Sequence, residues 1–365
     1  MNRVKRSSNF ELLRIVSMLV IVLNHVAAQA FDRDVILLQN DVFLCIVGYG
    51  SRIAVNLFLM TGVWFMVDSE FKGKRVMKLY GSLWFYSVVI TLILLFAGQH
   101  VGFGDLISSF FPLLRRRMWF VPQYLTLMLI SPFLKLLFEQ MNKETTRRAL
   151  IAGFFFISFI CTIRGFEDKW LAAFVWFAYV FFVIAYYKRY GFNLKFNKPL
   201  CLVGGGLIYL LMAAGLVVCK YSYGRIFELG ESIFRQYLGD YKSVPNFLCS
   251  LLIFMFFAEL DIGQRKWINE ISKNTLDVYM IHQQDAFIPV IWVGLFHTKE
   301  WQQSPYFILL YLGTVLAVYI GGSLIGRLRV RFVEPLWLKS RLFGWLSQRL
   351  DKFYEPVLIE SKINK

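Results

Sequence analysis

The sequence predicts an all-α integral membrane protein, a bundle of about ten transmembrane helices with both termini in the cytoplasm. Three observations predict it. The 365 residues are 57% hydrophobic and 18% aromatic, and the mean hydropathy is +0.53, whereas a soluble domain needs more polar residues to cover its surface. Apolar stretches of roughly 20 residues recur along the whole chain, each able to cross a hydrocarbon core of about 30 Å at about 1.5 Å per residue. The basic residues collect in alternate segments between those stretches.

The expected spans run in order. The first, 9–28, carries Glu11, Arg14 and His25, and lacks the small-residue cleavage site of a signal peptide, so it reads as a retained helix. The second, 44–66, contains Arg52, and the third, 79–97, follows a basic run at 71–78. The fourth, 117–138, contains Lys135 and Pro132, and the fifth and sixth, 149–163 and 171–187, are rich in phenylalanine, tyrosine and tryptophan. The seventh to tenth are 200–219, 246–259, 273–296 and 305–328. With the N-terminus inside, 26 of the 40 lysines and arginines fall in cytoplasmic segments, 11 in external ones, and Arg14, Arg52 and Lys135 within spans. A wrong number of spans would scramble this alternation. Residues 1–331 read as one membrane unit and 332–365 as a short basic cytoplasmic tail, with no soluble domain.

The formal net charge of +16 is accounted for by orientation, and no soluble basic face remains for nucleic acid. Five cysteines, odd in number and set in or beside apolar spans, read as core thiols. No glycine-rich phosphate loop, zinc spacing or Ser-His-Asp pattern stands out, and four histidines in separate regions argue against a metal site. The two halves show no internal repeat of the kind many transporters carry.

Ionisable residues at bilayer depth cost free energy and mark function unless they reach an interface. Glu11 either snorkels or pairs with Arg14, three positions on. Arg14 and His25 are eleven residues apart, so they differ by about 20° around a helix and by about 16 Å along it. They share a face without touching, Arg14 toward the cytoplasm and His25 toward the outside, as if one stripe lined a passage; a structural histidine is the alternative. Tyr279 and His282 lie on adjoining faces of the ninth span, and either line the same passage or bond between helices. Arg52 calls for a buried carboxylate or carbonyl partner or for a shorter span, with Asp277 and Asp285 as candidate carboxylates. Trp119 is either a belt aromatic or a substrate platform. The external cluster Arg115, Arg116 and Arg117 suits an anionic lipid or a phosphate-bearing acceptor.

In Glu11-Leu-Leu-Arg14 and the Arg-x10-His spacing that ends at His25, the chain resembles the acyltransferase-3 family of membrane acyltransferases. The resemblance continues through Val55 to Gly62, the basic motif Arg75-Val-Met-Lys78, Trp119-Phe120 with Pro132, Ser272 to His282, and Glu334-Pro335. It departs at Lys78, where many relatives carry arginine, and at Pro122. The resemblance implies transfer of an acyl group, acetyl in the first instance, from cytoplasmic acyl-coenzyme A to a hydroxyl of a cell-surface or lipid-linked glycan, in a bacterial plasma membrane. His25 would be the general base, Arg14, Arg75 and Lys78 would bind the donor, and Trp119, Tyr279 and His282 would line the site, with no metal. The alternatives are a transporter or flippase of a lipid-linked sugar, and a membrane scaffold. Oligomeric state is not legible in the sequence.

Overall fold

The computed structural model describes residues 7–114, 118–165, 173–192, 197–221 and 227–363. All regular structure among them is helical. α1 is Ser8–Gln29, α2 Leu38–Tyr49, α3 Ser51–Asp68, α4 Gly73–Phe96, α5 Phe103–Phe110 and α6 Phe120–Gln140. α7, Lys143–Gly153, runs through a π-helical stretch into α8, Ile160–Arg164; α9 is Ala173–Tyr190, α10 Lys198–Tyr221, α11 Phe227–Tyr237 and α12 Val244–Glu259. α13, Lys266–Ile271, precedes α14, Thr275–His282; then come α15, Thr298–Trp301, α16, Phe307–Leu328, α17, Glu334–Lys339, and α18, Arg341–Ile363.

Seven of the described helical runs are long and apolar enough to cross a membrane. At the other three expected positions stand α9, whose last turn holds Lys188 and Arg189, the 16-residue α12, and a broken run. That run replaces the continuous helix expected over 273–296. α14 ends at His282, a short 3-10 turn covers Asp285–Phe287, and a π-helical turn covers Val290–Leu295. Gln283, Gln284 and Asp285 interrupt the apolar sequence and Pro289 cannot donate a helix bond, so the chain turns. Irregular backbone at membrane depth persists only where protein or a cavity surrounds it, and Gln283 and Gln284 are buried.

α1 sits at the centre, packed by α2, α3, α12, α13, α14 and α16. Its polar residues therefore lie mostly among protein. α16 divides by its period: Phe307, Tyr311, Val315 and Val318 are buried, while Leu309, Leu312, Leu316 and Ile320 are exposed. α16 reaches α14 through Gly322 and Gly326, four apart. A β-carbon at Gly326 would stand 2.8 Å from that of Asp277, so a larger residue there would force a shift, and one at Gly322 would stand a tight 3.1 Å from the Val278 α-carbon.

The segment expected as a tail forms α17 and α18, and α18 lies against α4 and α6. The Gly73 N–H donates to Asp351 at 2.6 Å, and the Tyr354 ring meets Phe71 with centroids 4.2 Å apart.

Candidate functional site

A cavity of about 230 Å³ opens beside the second half of α1. His25, Asn24, Arg52, Trp119, Asp240 and Tyr279 are among its lining residues. Five separate stretches of chain supply them, so the site depends on how the loops are held. Asn56, fully buried on α3, donates to the Tyr241 carbonyl at 2.7 Å and accepts from the Trp176 indole at 2.9 Å. Asn246 donates to the Leu238 and Asp240 carbonyls at 2.9 and 2.8 Å. These two amides satisfy the loop backbone and fix Asp240 and Tyr241 against the cavity. Trp119 stacks on Tyr241 with centroids 5.4 Å apart and planes 19° from parallel. Burial pushes the Asp240 carboxyl above the usual carboxylate range, against the pull of Lys242 and Arg52.

His25 Nδ1 lies 2.8 Å from His282 Nε2, and His282 Nδ1 lies 2.6 Å from the Val278 carbonyl oxygen. A carbonyl only accepts, so His282 Nδ1 carries a proton and donates it. In the neutral ring His282 Nε2 is then an acceptor, and His25 Nδ1 must donate to it. His25 Nε2 is left as a lone pair with no hydrogen-bond partner among the described residues. The broken ninth span makes this possible, since His282 is the last residue of α14 and fully buried. At the same level Gln29 of α1 donates to Gln283 at 3.3 Å and accepts from the Trp292 indole at 3.1 Å.

Arg14 faces a different cavity, of about 550 Å³, at the other end of α1. Its cations are Arg14, Lys72, Arg75 and Lys188, and its carboxylates Glu11, Asp68 and Glu70. Arg14 pairs with Glu11 at 2.9 Å, one of the two outcomes expected. Lys188 pairs with Asp68 at 2.5 Å and lies over the Trp64 ring at 4.4 Å. The residues of this wall come from segments that the charge distribution assigns to one side, 68–76 and 188. Between the cavities stand Phe120, lining the His25 cavity, and Tyr124, lining the Arg14 cavity, stacked at 5.9 Å with planes 12° apart. Gly62 makes room for Tyr124: a β-carbon there would fall 2.6 Å from the phenol oxygen.

The structure thus brings His25, Trp119, Tyr279 and His282 together and sets Arg14 with Arg75. It places Lys78 elsewhere, 2.7 Å from Glu334. Glu334 also meets Arg329 at 3.2 Å, and Arg329 meets Asp277 at 2.9 Å, with the Tyr86 hydroxyl donating to Asp277 at 2.8 Å. Asp277 is therefore not the partner of Arg52, and Arg52 bonds to neither suggested carboxylate. Arg115, Arg116 and Arg117 lie outside the described residues. Sequence reading missed Asp240, Tyr241 and Tyr124, which belong to no motif, and gave Asn24 no role although it adjoins His25. No group of three or more histidines, cysteines or carboxylates among the described residues could hold a metal ion.

Residues 7–326 match a family of acyltransferase domains, the acyltransferase-3 type. No curated protein and no solved structure matches the chain.

Proposed function

The chain belongs to the acyltransferase-3 family and is a multi-pass membrane acyltransferase, and from that premise we propose that it moves an acyl group, acetyl in the simplest case, from cytoplasmic acyl-coenzyme A to a hydroxyl of a cell-surface or lipid-linked glycan. The bacterial plasma membrane is the setting this reading implies. The observation that carries it is the unbonded His25 Nε2 on a cavity wall, held in that tautomer by His282.

In the proposed step the acceptor hydroxyl gives its proton to His25 Nε2 while its oxygen attacks the thioester carbonyl. The carbon–sulfur bond breaks as the tetrahedral intermediate collapses, and the departing thiolate takes the proton back from His25. His25 is an imidazolium in between, and its Nδ1–H still donates to His282, so the bond that orients the base survives its protonation. Arg14, Arg75 and Lys188 meet the phosphates of the donor, whose thioester arm must pass Phe120 and Tyr124 to reach His25. Lys78 acts instead as the outer partner of the Glu334 pair.

The test is acceptor-dependent release of free thiol from acetyl-coenzyme A by purified protein in nanodiscs. Glycan crossing a vesicle membrane without thiol release would identify a transporter or flippase. Replacing Arg14 with glutamine should raise the KM for acetyl-coenzyme A by about tenfold or more, the worth of one hydrogen bond to a charged group, with the acceptor KM unchanged. An unchanged donor KM would remove Arg14 from the donor site.

A further inference from the structure

Past the His25 cavity lies a wider one of about 620 Å³, walled by α1, α2, α10 and α11, within the size range of small-molecule sites. Asn24 and Arg52 line both, so the two cavities adjoin at these residues. Most charges of the wide cavity are matched. Arg33 pairs with Asp41, Lys220 with Asp41 at 2.6 Å and Glu231 at 3.6 Å, and Arg235 with Glu231 at 2.5 Å. Asp34, at the exposed rim, can be neutralised by water.

Arg52 differs from these. It is half-buried and makes no hydrogen bond or ion pair among the described residues. Asp240 and Arg235 are close enough for their charges to act on it. Asp240 is committed elsewhere: it accepts from the Lys242 backbone N–H at 2.8 Å and faces the Lys242 ammonium at 4.0 Å. These contacts with Lys242 make it a shared counter-ion rather than one dedicated to Arg52. A half-buried guanidinium that faces a cavity without a protein partner is open to an anion there, and a bound anion would offset its partial loss of solvent. Its planar fork suits carboxylate and phosphate, which it grips with two parallel bonds.

We propose that the wide cavity is the acceptor subsite and that Arg52 is the fixed counter-ion for a phosphate or carboxylate on the acceptor, so that the substrate is an anionic carbohydrate. This rests on the acyl-transfer reading of the adjoining cavity and names the chemistry of its second substrate. A sugar held by its anion at Arg52 presents a hydroxyl across the Asn24 border to His25. A sugar phosphate and a uronic acid offer the same charge, and the test separates them.

The protein, in nanodiscs of zwitterionic lipid and without acyl donor, is titrated calorimetrically with glucose 1-phosphate, with a disaccharide ending in glucuronic acid, and with the same disaccharide ending in glucose. At least one anionic probe should bind about tenfold or more tighter than the neutral one, and which one does so identifies the anion. Arg52→Gln should abolish the difference and Arg52→Lys should keep part of it. Equal or absent binding of all three, or a preference that survives Arg52→Gln, overturns the proposal. Because no donor is present, an Arg52-dependent preference in a protein that releases no thiol would count against acyl transfer alone.

Discussion

Replacing His25 with alanine should lower acceptor-dependent thiol release by about 10²- to 10⁴-fold, the range that a positioned general base contributes. The expectation follows from a shortage of substitutes. Tyr279 lines the same cavity, but a phenol, with an ordinary pKa near 10, holds its proton too tightly to act as a base near neutral pH. His282 Nε2 is occupied by His25 and its Nδ1 by a backbone carbonyl. Donor binding should be untouched, because Arg14 and its cavity lie about 16 Å down the helix. A His25→Ala protein that releases thiol at the wild-type rate would end the assignment. His282 is a positioning residue, and two substitutions separate orientation from packing. His282→Gln keeps an acceptor for the His25 Nδ1–H and should retain part of the rate with both KM values unchanged. His282→Leu fills the space without accepting and should fall well below it. Equal losses in the two would mean that His282 only fills volume.

The second large effect is on stability. Arg329→Met should destabilise the folded protein by about 3–5 kcal/mol, the cost of leaving a buried carboxylate without its cation. Arg329, Asp277 and Glu334 are each less than 10% exposed, and the chain of contacts from Tyr86 through Asp277, Arg329 and Glu334 to Lys78 ties together α4, α14, the turn after α16, and α17. Lys78 at the rim is half exposed, so Lys78→Met should cost far less, about 1 kcal/mol or below. Combining Asp277→Asn with Arg329→Met removes both charges and should recover part of the loss. Unfolding in mixed micelles, followed by tryptophan fluorescence, measures all three. Equal midpoints for Arg329→Met and the wild type would show that the pair adds nothing to the fold.

The sequence made the helices legible because lipid imposes one rule, an apolar run long enough to span, and that rule is local. Arg14 and His25 were visible for the same reason: on an apolar helix a charge stands out. What stayed hidden depends on contacts between distant segments. The His25–His282 bond joins residues 257 apart, and periodicity within each helix says nothing about which faces meet. Two signals were present but easy to pass over. Gly322 and Gly326, four apart, mark the close approach of α16 to α14. Gln283, Gln284 and Asp285 ahead of Pro289 mark the break that leaves His282 at a helix end. The resemblance grouped Lys78 with Arg75 because they are three positions apart on α4. Packing decides otherwise, since Lys78 meets Glu334 while Arg75 faces the Arg14 cavity. Asp240 and Tyr241 carry no pattern because two asparagines on other helices place them.

The stacked Phe120 and Tyr124 also bear on proton leakage along the proposed route. An enzyme fed from one side of a membrane and emptied on the other runs the hazard of leaking protons along the same route. Here Phe120 and Tyr124 stack between the Arg14 cavity and the His25 cavity, with Gly62 letting Tyr124 close in. On the proposed acyl-transfer route, the two rings stand where a continuous file of water would otherwise conduct protons.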